Sequence, residues 1–294
     1  MKTLNFFTKG ALLALTATVL LISCKKDKEE DDTDTSTSRD NAFAESSYND
    51  VVNMADEAEQ SGSVGSYKMG ADEASLLLNC AAVTFNKLNN IDQDTIIIDF
   101  GSTNCTGNDG RQRRGKVIVY YSGRFKTVGS THTITFDNYY VNNNKVDGSR
   151  TVKNDGFNSA GHLTWQVYGN GTIILANGNG TVTWGSTRKR ELLGVLGSSM
   201  LNSADTTIVW SQSKWGITGT ASGISATGVI YSTSITKQLV FDHTCITNRR
   251  HPTQGSFDFT PSGKATRTVD FGNGTCDDQA TVTIKGKTYT ITLK

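Results

Sequence analysis

The chain has 294 residues, with 29 Lys and Arg against 28 Asp and Glu, so it lacks the basic surplus that nucleic-acid binding requires. Twenty-nine glycines, two prolines and recurrent Thr, Val, Ile and Tyr are the composition of many short strands joined by Gly or Asn turns. This favours an all-β fold, and the length allows one large β domain or two smaller ones.

Residues 1–23 read as a lipoprotein signal peptide. Lys2 and Lys9 supply the basic start, and GALLALTATVLLIS, Gly10 to Ser23, is an apolar run too short for a comfortable membrane span. The junction LISC, Leu21 to Cys24, resembles the bacterial lipobox, in which cleavage leaves the cysteine as a diacylglycerol-bearing, acylated N-terminus. That resemblance makes Cys24 a membrane anchor, because several acyl chains, at about 0.8 kcal/mol per buried CH₂, hold far more firmly than one. Without Lys2 and Lys9 the charge is 27 basic against 28 acidic residues.

Residues 24–41 read as the lipidated cysteine and a disordered acidic tether. KKDKEEDDTDTSTSRD, Lys25 to Asp40, has no apolar residue to contribute to a core. Fully extended it reaches at most ~55 Å. Its acidic cluster resembles the export signal that carries lipoproteins of Bacteroidetes-type bacteria to the cell surface, and the expected location is the outer membrane, surface-exposed. A spacer on a periplasm-facing lipoprotein is the alternative.

Residues 42–294 are expected to form a single β-rich domain. At its start, Ala44, Tyr48, Val51, Val52, Ala55 and Ala58 mark one face of a helix over Phe43–Ser61, whose apolar stripe needs a sheet to cover. Beyond Ser75 the chain reads as consecutive strands. In HTITFDNYYV, alternation predicts His132, Ile134, Phe136, Asn138 and Tyr140 on one side and Thr133, Thr135, Asp137 and Tyr139 on the other. Asp147-Gly148, Asn170-Gly171 and Lys285-Gly286 are read as hairpin turns. Leu192–Asp205 is read as a loop or short helix, and TTIVWSQ, Thr206 to Gln212, as a strand. The expected architecture is a long antiparallel meander forming a curved sheet, sandwich or partly open barrel, with one N-terminal helix packed on it.

One phrase occurs twice. IDFGSTNCTG, Ile98 to Gly107, aligns without gaps on VDFGNGTCDD, Val269 to Asp278, and Gly115-Lys116 then falls on Gly286-Lys287. Each copy has an upstream cysteine, Cys80 or Cys245, after a strand-like run. In an exported protein the four cysteines are expected to pair, as Cys80 with Cys105 and Cys245 with Cys276, each contributing roughly 3 to 4 kcal/mol in the chain-entropy model. DFG alone does not make a kinase, since no glycine-rich loop, strand lysine or HRD loop accompanies it. No zinc-ligand spacing or 12-residue calcium loop is present, so no metal or cofactor is expected.

Two weak ligand-binding readings remain. Arg111, Arg113 and Arg114, with Arg188–Arg190 and Arg249–His251, are candidates for a basic patch, against the plainer reading of a solvated outer face. Trp165, Trp184, Trp210 and Trp215 are candidates for a glycan-stacking groove, against the plainer reading of core aromatics. No GxSxG elbow, HExxH pair or other local catalytic motif occurs, and no catalytic residue is assigned.

Taken together, the lipobox, tether, meander and closing GTCDDQATVTIKGKTYTITL resemble a family of uncharacterised Bacteroidetes lipoproteins with a DFG or DYG, Cys-Asp and Gly-Lys pattern. The matching positions are Asp270, Gly272, Cys276, Asp277, Gly286 and Lys287, with Asp99, Gly101, Cys105, Gly110, Arg111 and Gly115 in the first copy. The resemblance implies an envelope location and no assigned activity. The expected function is a non-catalytic, lipid-anchored envelope protein, a surface-displayed binding or structural scaffold. Its expected partners are the membrane through the lipid on Cys24 and a glycan or envelope protein. A glycan-binding module using exposed aromatics is the alternative, and a carboxylate-dependent hydrolase a more distant one.

Overall fold

The computed structural model describes residues 35–63, 77, 80–86, 94–195, 213–245 and 251–293. The leader, Cys24, most of the tether and Trp210 lie outside the described residues. One helix, α1 (Ser36–Ser63), precedes fourteen strands: β1 (Ala82–Asn86), β2 (Asp94–Asp99), β3 (Cys105–Thr106), β4 (Gln112–Tyr121), β5 (Thr131–Val141), β6 (Asn144–Phe157), β7 (Leu163–Ile174), β8 (Thr181–Val195), β9 (Ser213–Ile224), β10 (Ile230–Asp242), β11 (Gln254–Pro261), β12 (Arg267–Asn273), β13 (Gln279–Ile284) and β14 (Lys287–Thr292). All belong to one open antiparallel sheet in chain order, with β3 pairing only β4 and with β1 and β14 at the edges. The meander and its helix are as the sequence predicts, and the sheet does not close into a barrel.

The six apolar helix positions predicted from the sequence are all buried, and so are Ser47, Met54 and Asp56. At 100° per residue these positions cover more than half of the helix circumference, so the sheet cradles α1 in a hollow. The inner face meeting it includes Ile96 and Ile98 of β2, Val117 and Val119 of β4, Ile134 of β5, Trp165 of β7 and Trp184 of β8, all nearly inaccessible. Burying each Val or Met of the helix contributes at most about 1.5–3 kcal/mol. Helix α1 also begins at Ser36, inside the segment expected to be disordered tether. Thr37 and Asn41 are buried, and Asp40 accepts a hydrogen bond from the Ala226 backbone between β9 and β10, so tertiary contacts order a stretch with no apolar pattern.

Tyr48 fastens the helix to the sheet. Its ring stacks on Trp184 at 4.8 Å and meets Phe136 edge-on at 6.1 Å, and its hydroxyl donates to the Asp147 carbonyl at 2.7 Å. Close approach accounts for two glycines that the sequence reading places in hairpin turns. Gly148 and Gly171 lie opposite each other in the middle of β6 and β7. A Cβ on Gly171 would stand 2.0 Å from the Tyr48 hydroxyl, and one on Gly148 would stand 2.3 Å from the Asn170 carbonyl. They permit close approach within long strands rather than reversing the chain. Lys285-Gly286 is a true turn, with both residues at positive φ between β13 and β14.

The inward alternation of β5 shifts phase at Asn138, whose φ is 47°. Register slips there against both β4 and β6, so Tyr139 is fully buried and Tyr140 faces outward, opposite to the uninterrupted pattern. Strand β8 extends through Val195, into the predicted loop, and the rest of that loop and the TTIVWSQ segment lie outside the described residues.

Both disulfides form as predicted, Cys80–Cys105 and Cys245–Cys276, each with a Cα separation of 5.5 Å. The Gly-Lys pairs that align after them are not equivalent in space. Gly115-Lys116 lies within β4, where Lys116 pairs across to Asp99 of β2. Gly286-Lys287 makes the β13–β14 turn, and Thr281 is the residue of β13 opposite Asp270.

Candidate functional site

Strand alternation turns the predicted ligand residues mostly inward. Trp165, Trp184 and Trp215 are 0%, 2% and 1% exposed, so they build the core and offer no stacking platform. Phe125 stacks on Trp165 at 4.8 Å, and Trp165 lies 5.2 Å from Trp215. The glycan groove expected from these tryptophans is therefore absent among the described residues.

The basic patch is also dispersed. Arg113 is buried, and Nη2 donates to Asp109 at 2.6 Å and Asp50 at 3.2 Å. Arg111 pairs with Asp50 as well. Arg114 lies over the Tyr140 ring at 3.8 Å and bonds Asn104 and Asn143. Within Arg188–Arg190, both arginines point into the hollow and Lys189 points out.

The hollow is polar as well as apolar. From α1, Glu45 takes both Nε and Nη2 of Arg188, Asn49 takes Nη2 of Arg150 at 2.9 Å, and Asp56 stands 3.7 Å from Arg190. Glu59 accepts the Phe125 backbone N–H at 2.9 Å and lies 3.6 Å from His132, whose ring bonds the Gly123 carbonyl. Burial dominates the titration of four of them, Asp56, Glu59, His132 and Arg150. It pushes the Asp56 carboxyl well above its ordinary range and Glu59 up to about 7, while it pulls His132 down and Arg150 down to about 10. Asp56 and Glu59 stand three residues apart on one helix, so they are not carboxylates facing each other across a cleft. A small pocket of about 40 Å³ adjoins this interface, lined by Asn49, Asn53, Arg190, Trp215, Ile217, Phe241 and His243.

The outer face has a different chemistry. Register aligns one residue from each of twelve strands in a continuous row: Thr95, Tyr120, Thr133, Thr151, Tyr168, Thr187, Thr220, Ser234, Asp258, Thr268, Thr283 and Thr288. Every member except Asp258 carries a hydroxyl. A second row joins Ser222, Ser232 and Thr260, and between the rows lies a solvent-open groove of about 670 Å³ over β8–β11. Asp258 accepts from Thr268 at 2.6 Å, and Tyr168, beside Thr187 at the margin, is 47% exposed.

The sequence shows Thr and Ser at alternate positions in β5, β9, β10 and β14, but only the register shows that the row runs across the sheet. One further polar cluster sits on this side. His162 Nδ1 and Glu191 Oε1 are 2.7 Å apart, and Glu191 also accepts from Asn158 and Gln238. Those donors outweigh burial and lower the Glu191 carboxyl, which fits a carboxylate holding a loop histidine in place. No family model matches the chain, and no curated protein or solved structure is similar to it.

Proposed function

We propose that the protein is a non-catalytic, lipid-anchored binding scaffold of the cell envelope that presents the outer face of its sheet. The observation that carries this reading is the occupation of the hollow. A curved sheet can enclose a ligand on its inner side, but here α1, Tyr48 and three tryptophans fill that side, and the broad polar outer face is left for a partner. The lipobox ending at Cys24 supports the anchor, and two disulfides suit an oxidising compartment. On this reading the chain resides in the outer membrane, facing the medium.

Labelled palmitate should mark the protein, and Cys24→Ala should release it to the soluble fraction. Failure of both would remove the anchor. Protease added to intact cells should cut the chain if it faces outward, and protection until the outer membrane is permeabilised would place it on the periplasmic side.

The groove favours a second reading, a glycan-binding module that works without tryptophan. Its lining is hydroxyl-rich with one carboxylate, and its size is within the range of ordinary ligand sites. Hydroxyls offer both donors and acceptors to a neutral sugar chain, and the exposed Tyr168 ring offers an apolar face. The full chain carrying Cys24→Ala should bind neutral glycans on an array and lose binding with Ser234→Val or Tyr168→Ala. A blank array would eliminate this reading and leave the anchored scaffold intact.

A further inference from the structure

The two edges of the sheet are built differently. At one, β1 is short, and its Val83 and Phe85 pack against the core. At the other, β14 is exposed at all six of its residues, and among the described residues no strand pairs its outer side. Proteins usually blunt such an edge with a proline, a bulge or a charge in mid-strand. β14 has no proline, pairs with β13 without a bulge, and carries its one charge, Lys287, at its start. The rest, Thr288, Tyr289, Thr290, Ile291 and Thr292, are all good strand formers. Tyr289 and Ile291, on the inner side of the sheet, remain 46% and 37% exposed.

Lys285 and Gly286, both at positive φ, make a two-residue turn, so the flanking pair Ile284 and Lys287 is hydrogen-bonded. Alternation carries that pattern through Tyr289 and Ile291 to Leu293, whose N–H donates to the Asp278 carbonyl at 2.7 Å. The backbone N–H and C=O groups of Thr288, Thr290 and Thr292 therefore point away from β13, along the open edge.

We propose that β14 pairs antiparallel with β14 of a second copy of the chain, about a two-fold axis at Thr290. In this register Thr290 exchanges both hydrogen bonds with Thr290 of the other copy, and Thr288 does so with Thr292, so every outward group is used. Tyr289 of each copy then faces Ile291 of the other on the inner side, an aromatic and β-branched pair at the closer, non-hydrogen-bonded spacing. A two-residue slip either way leaves outward groups unpaired, and one of the slips sets Lys287 against Ile291. Charge favours the antiparallel sense. The turn end of the hairpin carries Lys285 and Lys287 and the open end Asp277 and Asp278, so the two-fold brings the basic end of one copy to the acidic end of the other. Such an isologous contact closes at two copies, and the outer face runs on unbroken between them. A strand of six residues buries less than the ~1,200 Å² of a stable interface, so the dimer is weak and forms with concentration. The pairing depends on neither the lipid anchor nor an outer-face ligand.

Sedimentation equilibrium of the full chain carrying Cys24→Ala, which no acyl chain can draw together, should show mass rising with concentration to two copies and no further. Thr290→Pro removes an outward N–H without touching the ladder to β13, and should weaken dimerisation roughly tenfold or more. If near-UV circular dichroism shows Thr290→Pro to be misfolded, Thr290→Lys decides: it sets two like charges together at the two-fold, and dimerisation should again be lost. Thr84→Lys, on β1, should leave the dimer unchanged. Lys287→Glu and Asp278→Lys should each dimerise less than wild type, and an equimolar mixture of the two should recover pairing as a mixed dimer. Mass fixed at one copy at every concentration, growth beyond two copies, a dimer indifferent to Thr290→Lys, or a mixture that pairs no better than its components would overturn the proposal.

Discussion

The two copies of the DFG and cysteine phrase are the same turn set in different surroundings. In both, the aspartate Oδ1 accepts the backbone N–H of the glycine two residues on, at 2.8 Å, and that glycine has φ 78°. Both disulfides span the same Cα distance. Burial separates them. Ile98 and Phe100 are inaccessible beneath α1 and Tyr139, whereas Val269 and Phe271 are half-buried and most of Gly272–Gln279 is exposed. The Asp-Gly turn and its staple are local chemistry that five or six residues can specify. Whether the turn becomes core depends on α1, which touches β2, β5, β6 and β8.

The sharpest way to break this comparison is to truncate the two phenylalanines. Phe100→Ala empties a site 4% exposed and should cost about 3–5 kcal/mol in urea unfolding. Phe271→Ala removes a half-exposed ring 6.0 Å from Phe257 and should cost less than about 2 kcal/mol. Equal losses would mean that β12–β14 are as deeply integrated as β2 and β4.

Removing the disulfides tests the shared part. With sequence separations of 25 and 31, the chain-entropy model gives each about 3–4 kcal/mol, nearly the same for both. Replacing both cysteines of one pair by Ala should therefore shift stability alike. Amide exchange should differ: losing Cys245–Cys276 should speed exchange in β12–β14 alone, and losing Cys80–Cys105 should loosen β1–β4 together with α1. Exchange that rises across the whole sheet in both variants would show that the wing does not open separately.

Much of this frame is legible in the sequence because it is written at short range. Periodicity marks the helix face, Cys spacing suggests the pairing, and Lys285-Gly286 is a turn on its own account. What is not legible depends on contacts distant in the chain. Asp147-Gly148 and Asn170-Gly171 look like turns until Gly171 is seen to make room for the hydroxyl of Tyr48, far back in the chain, and Gly148 for the Asn170 carbonyl across the strands. Ser36–Asn41 looks like tether until Asp40 is found capping the β9–β10 turn. The hydroxyl row needs eleven strand pairings in register at once, and the bulge at Asn138 shifts two of those pairings, β5 with β4 and β5 with β6. The tryptophans are ambiguous in sequence because a strand alternation gives a face but not which face is covered.

Protonation should distinguish the helix-covered half more gently. Burial raises Glu59 to about 7 from an unfolded value of 4.5, so its contribution is fully present below pH 4.5 and is lost as pH rises toward 7. The full swing is at most about 3 kcal/mol. His132 opposes it: its lowered folded value gives stability that is present above pH 6.5 and lost as pH falls. Asp56 on the same helix and Arg124 and Lys126 of the β4–β5 loop also face this site. Comparison with Glu59→Gln isolates the carboxyl, and the variant should gain on wild type steadily between pH 4.5 and 7. A difference that stays flat with pH would mean that Glu59 is ionised throughout.

The smallest expected effect comes from the lysine that each phrase aspartate holds. Asp99 meets Lys116 directly across β2 and β4 at 3.1 Å, with the side chains 35% and 43% exposed. Asp270 meets Lys237 at 3.5 Å, a lysine 73% exposed that reaches across β11 over the small Ser256. Exposed pairs are worth about 0–1 kcal/mol, and the directly opposed pair should be the stronger. Lys116→Ala should therefore lower the thermal midpoint slightly more than Lys237→Ala, and 1 M salt should erase the difference by screening. A larger loss for Lys237→Ala would mean that the C-terminal wing depends on this long-reaching ion pair, and that its attachment is electrostatic where that of the first copy is apolar.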